Sequence, residues 1–299
     1  MTSGTSLRGV FPMVVTPYGA DGAVSLLEIA RVVEFSLDNG CPGVSALGLG
    51  AEVGLLTFEE RIAITRAVVA AASGRPVIVG CSSPDTATSV QLAREAAHAG
   101  AAAVMVAPPP RPELSRDELL AHYSGIADAV APLPVMVQDA PAFVGVALDA
   151  EFVSALRDRC ENVRYAKPES VPAFDRTAEL VALGGIDVFA GNGALYLIDA
   201  LRAGAVGVIP GCEMPRLLTR IVGYFDAGRS DAAERVFDRI LPLLVTEFQS
   251  LDYFIASTKI LLAELGIIER PDVRGTNPVS SEGRSLLLER ARSVGVLPG

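Results

Sequence analysis

A primary amine can condense with a ketone to form an imine, and a guanidinium cannot. That makes the basic residues of this 299-residue chain informative, because of its 25 lysines and arginines only Lys167 and Lys259 are lysine. Lys167 closes an apolar run, Val163-Arg164-Tyr165-Ala166-Lys167-Pro168-Glu169. A side chain there is partly desolvated, which disfavours an ammonium and frees a lone pair for attack on a carbonyl. A lysine paired with a surface carboxylate is the competing reading, of equal standing on position alone, and the scarcity of lysine favours the nucleophile. Lys259 falls inside a helical pattern over residues 253–265 and reads as structural or solvated. Chemistry at an imine also needs an acid–base partner. Glu169 stands two residues past Lys167, and Glu52 and Asp139 end other apolar runs. Each of the three could equally be a solvated or ion-paired loop carboxylate; Glu169 is the favoured acid–base residue.

The elements that must position these residues are short apolar runs alternating with longer amphipathic segments. Candidate strands cover residues 9–16, 43–48, 76–81, 102–107, 134–139, 163–167, 187–191 and 205–209. Most are continuous Val, Ile, Ala and Met runs, the pattern of parallel strands covered on both faces. Thr57 with Glu60, and Ser115 with Glu118, form capping-box patterns ahead of apolar-periodic segments, and Asp85 opens a helix that stops at Gly100. Eight strand–helix units without a linker predict an α/β fold: a (β/α)8 TIM barrel over residues 1–228, with a C-terminal helical appendage over 229–299 packed on it. No glycine-rich dinucleotide fingerprint opens the first unit, which disfavours an open sheet. In such a barrel chemistry sits where strands end. The polar residues at those ends are Thr16, Glu52, Ser82, Ser83, Gln138, Asp139, Lys167, Glu169 and Asn192. The backbone amides of Gly48, Leu49, Gly50 and Ala51 form a candidate nest for a carboxylate.

Composition narrows the function classes. Half of the residues are hydrophobic and 20% are charged, ample material for a large core. No apolar stretch reaches the ~18 residues of a membrane span, and the first residues lack a signal-peptide layout, so a soluble cytoplasmic protein is expected. A formal net charge of −10 argues against nucleic acid or anionic membrane as partner. Cys41, Cys81, Cys160 and Cys212 are scattered, which fits neither a zinc site nor a disulfide framework. His98 and His122 fall in helical patterns and read as surface or boundary residues. Neither a metal nor an organic cofactor is expected.

Several motifs occur in an informative order. They are Phe11-Pro12-Met13-Val14-Val15-Thr16-Pro17-Tyr18, Gly48-Leu49-Gly50-Ala51-Glu52, Thr57-Phe58-Glu59-Glu60-Arg61, Lys167, Gly191-Asn192-Gly193 and the run at 204–211 that contains Ile209. Over nearly the whole chain this order resembles the dihydrodipicolinate synthase / N-acetylneuraminate lyase family of Schiff-base enzymes. The resemblance implies Lys167 as the imine-forming lysine, a small-molecule 2-keto acid as substrate, and a homo-oligomer, tetramer or dimer. It implies substrate contacts from Thr16, Gly48, Leu49, Gly50, Glu52, Gln138, Asp139, Asn192, Gly193 and Ile209. The departures matter as much. Gln138-Asp139-Ala140-Pro141 stands where the family has Tyr-Asn-x-Pro, so the relay tyrosine is absent. Leu49 and Gly50 replace paired threonines, Ala107-Pro108-Pro109-Pro110-Arg111 replaces a tyrosine-bearing loop, and Phe143 stands where biosynthetic members carry arginine. Dihydrodipicolinate synthesis and ordinary sialic acid cleavage are disfavoured. Gln-Asp-x-Pro, Lys-x-Glu and Gly-Asn-Gly resemble a subgroup with 2-keto-3-deoxy sugar acid dehydratases. The first expectation is therefore dehydration or retro-aldol cleavage of a 2-keto-3-deoxy sugar acid or similar compound. The second is an aldolase or hydratase-aldolase on a less polar, aromatic substrate, suggested by Leu49, Phe143 and Val144. The third is a catalytically inactive ligand-binding barrel.

Overall fold

A computed structural model describes residues 6–298. Its strands are β1 (Gly9–Val10), β2 (Met13–Val14), β3 (Val44–Ala46), β4 (Val77–Gly80), β5 (Ala103–Val106), β6 (Val135–Asp139), β7 (Val163–Pro168), β8 (Asp187–Ala190) and β9 (Gly207–Val208). All pair in parallel, in the order β1-β9-β8-β7-β6-β5-β4-β3-β2. The expected first strand is split into β1 and β2 at Phe11–Pro12, because proline has no N–H to give a ladder. Its two halves pair with opposite ends of the sheet, β1 with β9 and β2 with β3. Backbone bonds from Phe11 N to Val208 O (2.9 Å) and from Met13 N to Pro210 O (2.8 Å) carry the seam past the break. The sheet closes on itself as a (β/α)8 barrel.

Helices α1 (Leu26–Asp38), α2 (Phe58–Ala71), α3 (Thr86–Ala99), α4 (Arg116–Val130), α5 (Pro141–Val144), α6 (Ala150–Arg159), α7 (Ala173–Ala182), α8 (Leu197–Arg202) and α9 (Pro215–Asp226) follow the strands. Thr57 and Ser115 make full capping boxes with Glu60 and Glu118, and Asp85 caps α3 through Thr88 N. Helices α10 (Ser230–Glu247), α11 (Leu251–Glu264) and α12 (Ser281–Val294) complete the chain. They share one apolar cluster with α8 and α9, including Leu197, Leu218, Ile240, Leu261 and Leu287.

The inside of the barrel is filled rather than hollow. Phe11, Ile78, Met105, Met136, Tyr165 and Phe189 form its floor, with Phe189 packed edge-on against Phe11 and Tyr165 at 5.7 and 5.9 Å. Side chains two residues apart on a strand share a face. The face that puts Tyr165 in this floor therefore lifts Lys167 above it, and β6 sets Gln138 beside Lys167 in register.

One expectation about the histidines needs correcting. His98 is exposed, but His122 on α4 is buried at 4% exposure, its Nδ1 2.9 Å from Thr86 Oγ1. Burial holds its ring neutral, with a pKa pushed down to about 4. The surface reading failed because α4 packs between α3 and α6, so more of its circumference is covered than a two-faced pattern implies. The four cysteines are free and buried. Among the described residues, no helix is long and apolar enough to cross a membrane, and no cluster of His, Cys, Asp and Glu could hold a metal ion.

Candidate active site

Lys167 and Glu169 face each other at the mouth of the barrel. Lys167 Nζ lies 3.0 Å from Glu169 Oε1, and both side chains are buried, at 6% and 7% exposure. The carboxylate is gripped from two further directions. Gln138 Nε2 donates to Oε2 at 2.5 Å, and the Asn192 backbone N–H donates to Oε1 at 3.0 Å. Asn192 also donates from Nδ2 to the Glu169 backbone oxygen at 3.2 Å. A side chain fixed by three donors cannot drift, which suits a group that must meet a reacting atom within a fraction of an ångström.

The backbone that builds this grip is unusual. Asn192, Gly193 and Ala194 all adopt left-handed conformations, at φ 51°, 59° and 72°. Such a run persists only where its surroundings hold it, and runs of this kind cluster at functional sites. Just before it, Gly191 gives the carboxylate room. A Cβ there would sit 2.3 Å from Glu169 Cγ and 2.8 Å from its Oε1.

In front of the pair is a chamber of about 30 Å³. Leu49, Gly50, Lys167, Glu169, Gly193 and Ile209 line it, six of the residues expected from sequence. Its outer wall was not foreseen. Phe248, at the joint between α10 and α11, packs edge-on against Phe254 at 5.1 Å and against Phe143 at 6.2 Å, closing the chamber with an aromatic arch. Two of these residues follow Lys167 by more than eighty positions, and in sequence nothing separates them from ordinary core phenylalanines. Phe143 alone carried a signal, as an apolar residue beside the Gln-Asp-x-Pro segment.

The remaining expected residues have other partners. Thr16 Oγ1 donates to Ala51 O at 2.8 Å and so holds the second loop in shape. Gly48 packs on Met13, its N–H directed at Met13 Sδ at 3.2 Å, and the Ala51 N–H donates to Gly48 O. The N–H groups of Leu49 and Gly50 open the 3-10 turn Leu49–Ala51 beside the chamber. Asp139 turns away from Lys167. Its carboxylate accepts from Leu148 N at 2.9 Å and from Ser170 Oγ, with Arg176 Nε at 3.6 Å.

Glu52 departs furthest from expectation. Its left-handed backbone, at φ 57°, swings the side chain out of the chamber to a buried ion pair with Lys259 and a 2.7 Å bond from Arg274 N. Tyr18 completes that cluster, with Lys259 Nζ 4.3 Å and Arg274 Cζ 4.7 Å from its ring centroid. Lys259 is thus a buried structural residue that fastens α11 to the second loop.

The chain is similar to known proteins in sequence and in fold. Residues 6–290 match the dihydrodipicolinate synthetase family. The chain is 34% identical to an L-2-keto-3-deoxyarabonate dehydratase of Azospirillum brasilense, over 88% of this chain and 87% of that one. It is 31% identical to a 4-hydroxy-tetrahydrodipicolinate synthase of Pelobacter propionicus, over 77% and 79%. Among solved structures, a dihydrodipicolinate synthase from Rhodopseudomonas palustris superposes with a TM-score of 0.88 at 27% identity, covering 97% of this chain and 98% of the other.

Proposed function

The chain belongs to the dihydrodipicolinate synthetase family and is a lyase of the aldolase or dehydratase kind, and we propose that Lys167 is the residue that forms a Schiff base with a 2-keto acid. The contact that carries this reading is Lys167 Nζ to Glu169 Oε1 at 3.0 Å, in the lining of a small chamber. An ammonium cannot attack a ketone, so it must first lose a proton, and Glu169 lies within hydrogen-bond distance to take it.

The freed amine attacks C2 of the keto acid, and loss of the C2 oxygen as water leaves a protonated imine. That imine is the electron sink. In the dehydratase route a proton leaves C3, its electron pair forms an enamine, and the C4 hydroxyl departs as water after taking up a proton. In the aldolase route the C4 hydroxyl loses its proton, the C3–C4 bond breaks towards the imine, and an aldehyde leaves. The enamine left by that cleavage takes up a proton at C3, and in both routes water then hydrolyses the imine and returns Lys167. Glu169 is the acid–base group suited to these transfers in place of the absent tyrosine, and Gln138, which cannot titrate, orients it. The N–H groups of Leu49 and Gly50 are the donors for the substrate carboxylate. The Azospirillum relative favours dehydration of a 2-keto-3-deoxy acid.

The test is reduction with borohydride in the presence of pyruvate, followed by intact mass and peptide mapping. A pyruvate-derived adduct on Lys167, missing from Lys167→Ala, is the expected result. An adduct on Lys259 overturns the assignment, and no adduct at all overturns it and leaves a barrel that only binds ligands. Product analysis with 2-keto-3-deoxy acids then separates water loss from pyruvate release.

A further inference from the structure

Two cavities meet at the barrel mouth, and they share Leu49 and Leu251 as a common partition. The inner one, in front of Lys167, has room for about one water at about 30 Å³. A keto acid there has to displace part of the lining, and a long remainder has no room beside it. The outer cavity is far larger, about 420 Å³, and opens to solvent between the turn Val53–Leu55 and the first turn of α11. For a substrate anchored on Lys167 that outgrows the inner chamber, this space lies just beyond Leu49 and Leu251.

We propose that the outer cavity is the subsite for the far end of the substrate, and that it takes an apolar group, an alkyl chain or an aromatic ring, in preference to a polyhydroxylated one. This rests on the imine reading of Lys167. The walls argue for the ligand class: Val53, Leu55, Ile255 and Val273, with the two partition leucines, supply mostly hydrocarbon. Glu52, the buried carboxylate at this wall, is occupied by Lys259 and Arg274 and has little left to offer a hydroxyl. Asp252 and Thr276 lie at the exposed rim, in contact with water. Leu55 is 52% exposed at the edge, a large apolar side chain that a bound hydrocarbon would cover. A hydroxyl carried into such a space loses its water partners without replacement, a cost of roughly tenfold in affinity for each. Each methylene buried there gains about fourfold.

The experiment compares kcat/KM for 4-hydroxy-2-keto acids whose C4 substituent is propyl, phenyl, or a dihydroxypropyl chain of matching length. Borohydride trapping of pyruvate is run on the same samples. At least a tenfold preference for propyl and phenyl is expected. Ile255→Trp fills the cavity from α11 and is expected to reduce that preference at least tenfold; Val53→Asp, from the opposite wall, should do the same if the tryptophan does not fold. The proposal is overturned if the dihydroxylated acid is turned over as well as the others. It is equally overturned if folded variants keep the wild-type ratio, or if Val53→Asp separates an oligomer in sedimentation without moving the ratio. The last result would make this face an interface between copies of the chain. Failure to trap pyruvate strikes the Lys167 assignment, whereas trapping without apolar preference strikes only the subsite.

Discussion

Gln138 and Glu169 are joined by a 2.5 Å hydrogen bond from Nε2 to Oε2, which turns the other carboxylate oxygen towards Lys167. β6 and β7 run in register here, Gln138 opposite Lys167, so the amide reaches across to a residue two positions further along the neighbouring strand. Glutamine at 138 thus has a positive role: it fixes a titratable neighbour. Glu169→Gln keeps the size but removes the proton acceptor, and a flip of the Gln138 amide lets the two side chains stay hydrogen-bonded. Borohydride trapping of pyruvate should slow on the order of 10²–10⁴-fold in that variant, with the circular dichroism spectrum unchanged. A trapping rate equal to wild type would remove Glu169 from the chemistry.

Gly191 gives a steric check on the same geometry. In Gly191→Ala the new methyl would lie 2.3 Å from Glu169 Cγ, so one of the two must move. The glycine is not in a left-handed conformation, at φ −114°, so the change acts through space alone. An ångström of displacement at a reacting group costs about 10²-fold. A fall of that order in kcat/KM is expected, with a stability loss of roughly 1–3 kcal/mol from overpacking. Full activity in a folded Gly191→Ala protein would show that the position of Glu169 does not matter.

How much of this was legible in the chain depends on the range of the interaction. The Lys-x-Glu spacing announces a shared face because strands repeat every two residues, and the paired end of β7 sits where barrels place their chemistry. Glu52 also ends an apolar run. Its direction is set by a single left-handed residue and by Lys259 and Arg274, more than two hundred positions away, and no local pattern encodes either. The aromatic arch has the same origin, since Phe248 reaches Phe143 only once α10 has packed on the barrel. Asp139 has the right residue type at the right height, but Leu148 N, Ser170 and Arg176 hold it away from the chamber.

Glu52 and Lys259 should matter to stability far more than to turnover chemistry. Both side chains are nearly inaccessible to water, at 4% and 0% exposure, and burial pushes the lysine below its ordinary pKa while Glu52 pulls it back. Glu52→Gln leaves a buried ammonium without a counter-charge, supported by the Asp272 carbonyl and the Tyr18 ring. Removing one partner of such a pair costs about 3–5 kcal/mol, whereas replacing both is often nearly neutral. Urea unfolding should show a loss in that range for Glu52→Gln, with at least half regained when Lys259→Met is added. A loss below roughly 1 kcal/mol, the range of exposed pairs, would contradict the buried geometry.

A second pair of carboxyls carries the opposite sign. Glu213 lies in the turn after β9 and Glu247 ends α10 next to Phe248; both are buried, at 2% and 0% exposure. Neither oxygen of Glu247 has a hydrogen-bond partner among the described residues, nor has Oε2 of Glu213. Two ionised carboxylates cannot share such a site, so burial pushes both upward, Glu213 to about 7, and the charge of Glu213 pushes Glu247 further. A carboxyl whose value is raised in the fold stabilises it at low pH. That contribution is present below the unfolded value near 4.5 and is lost as pH rises through about 7. Glu213→Gln keeps the neutral shape at every pH. Its Tm should exceed that of wild type by several degrees at pH 8, on the scale of ~2–4 °C per kcal/mol for large domains, and the two should converge at pH 5. Other titrating groups cancel in the difference between the proteins, so the convergence isolates this pair. A gap that stays constant from pH 5 to pH 8 would mean that Glu213 carries its charge throughout, with a compensating cation or solvent beside it.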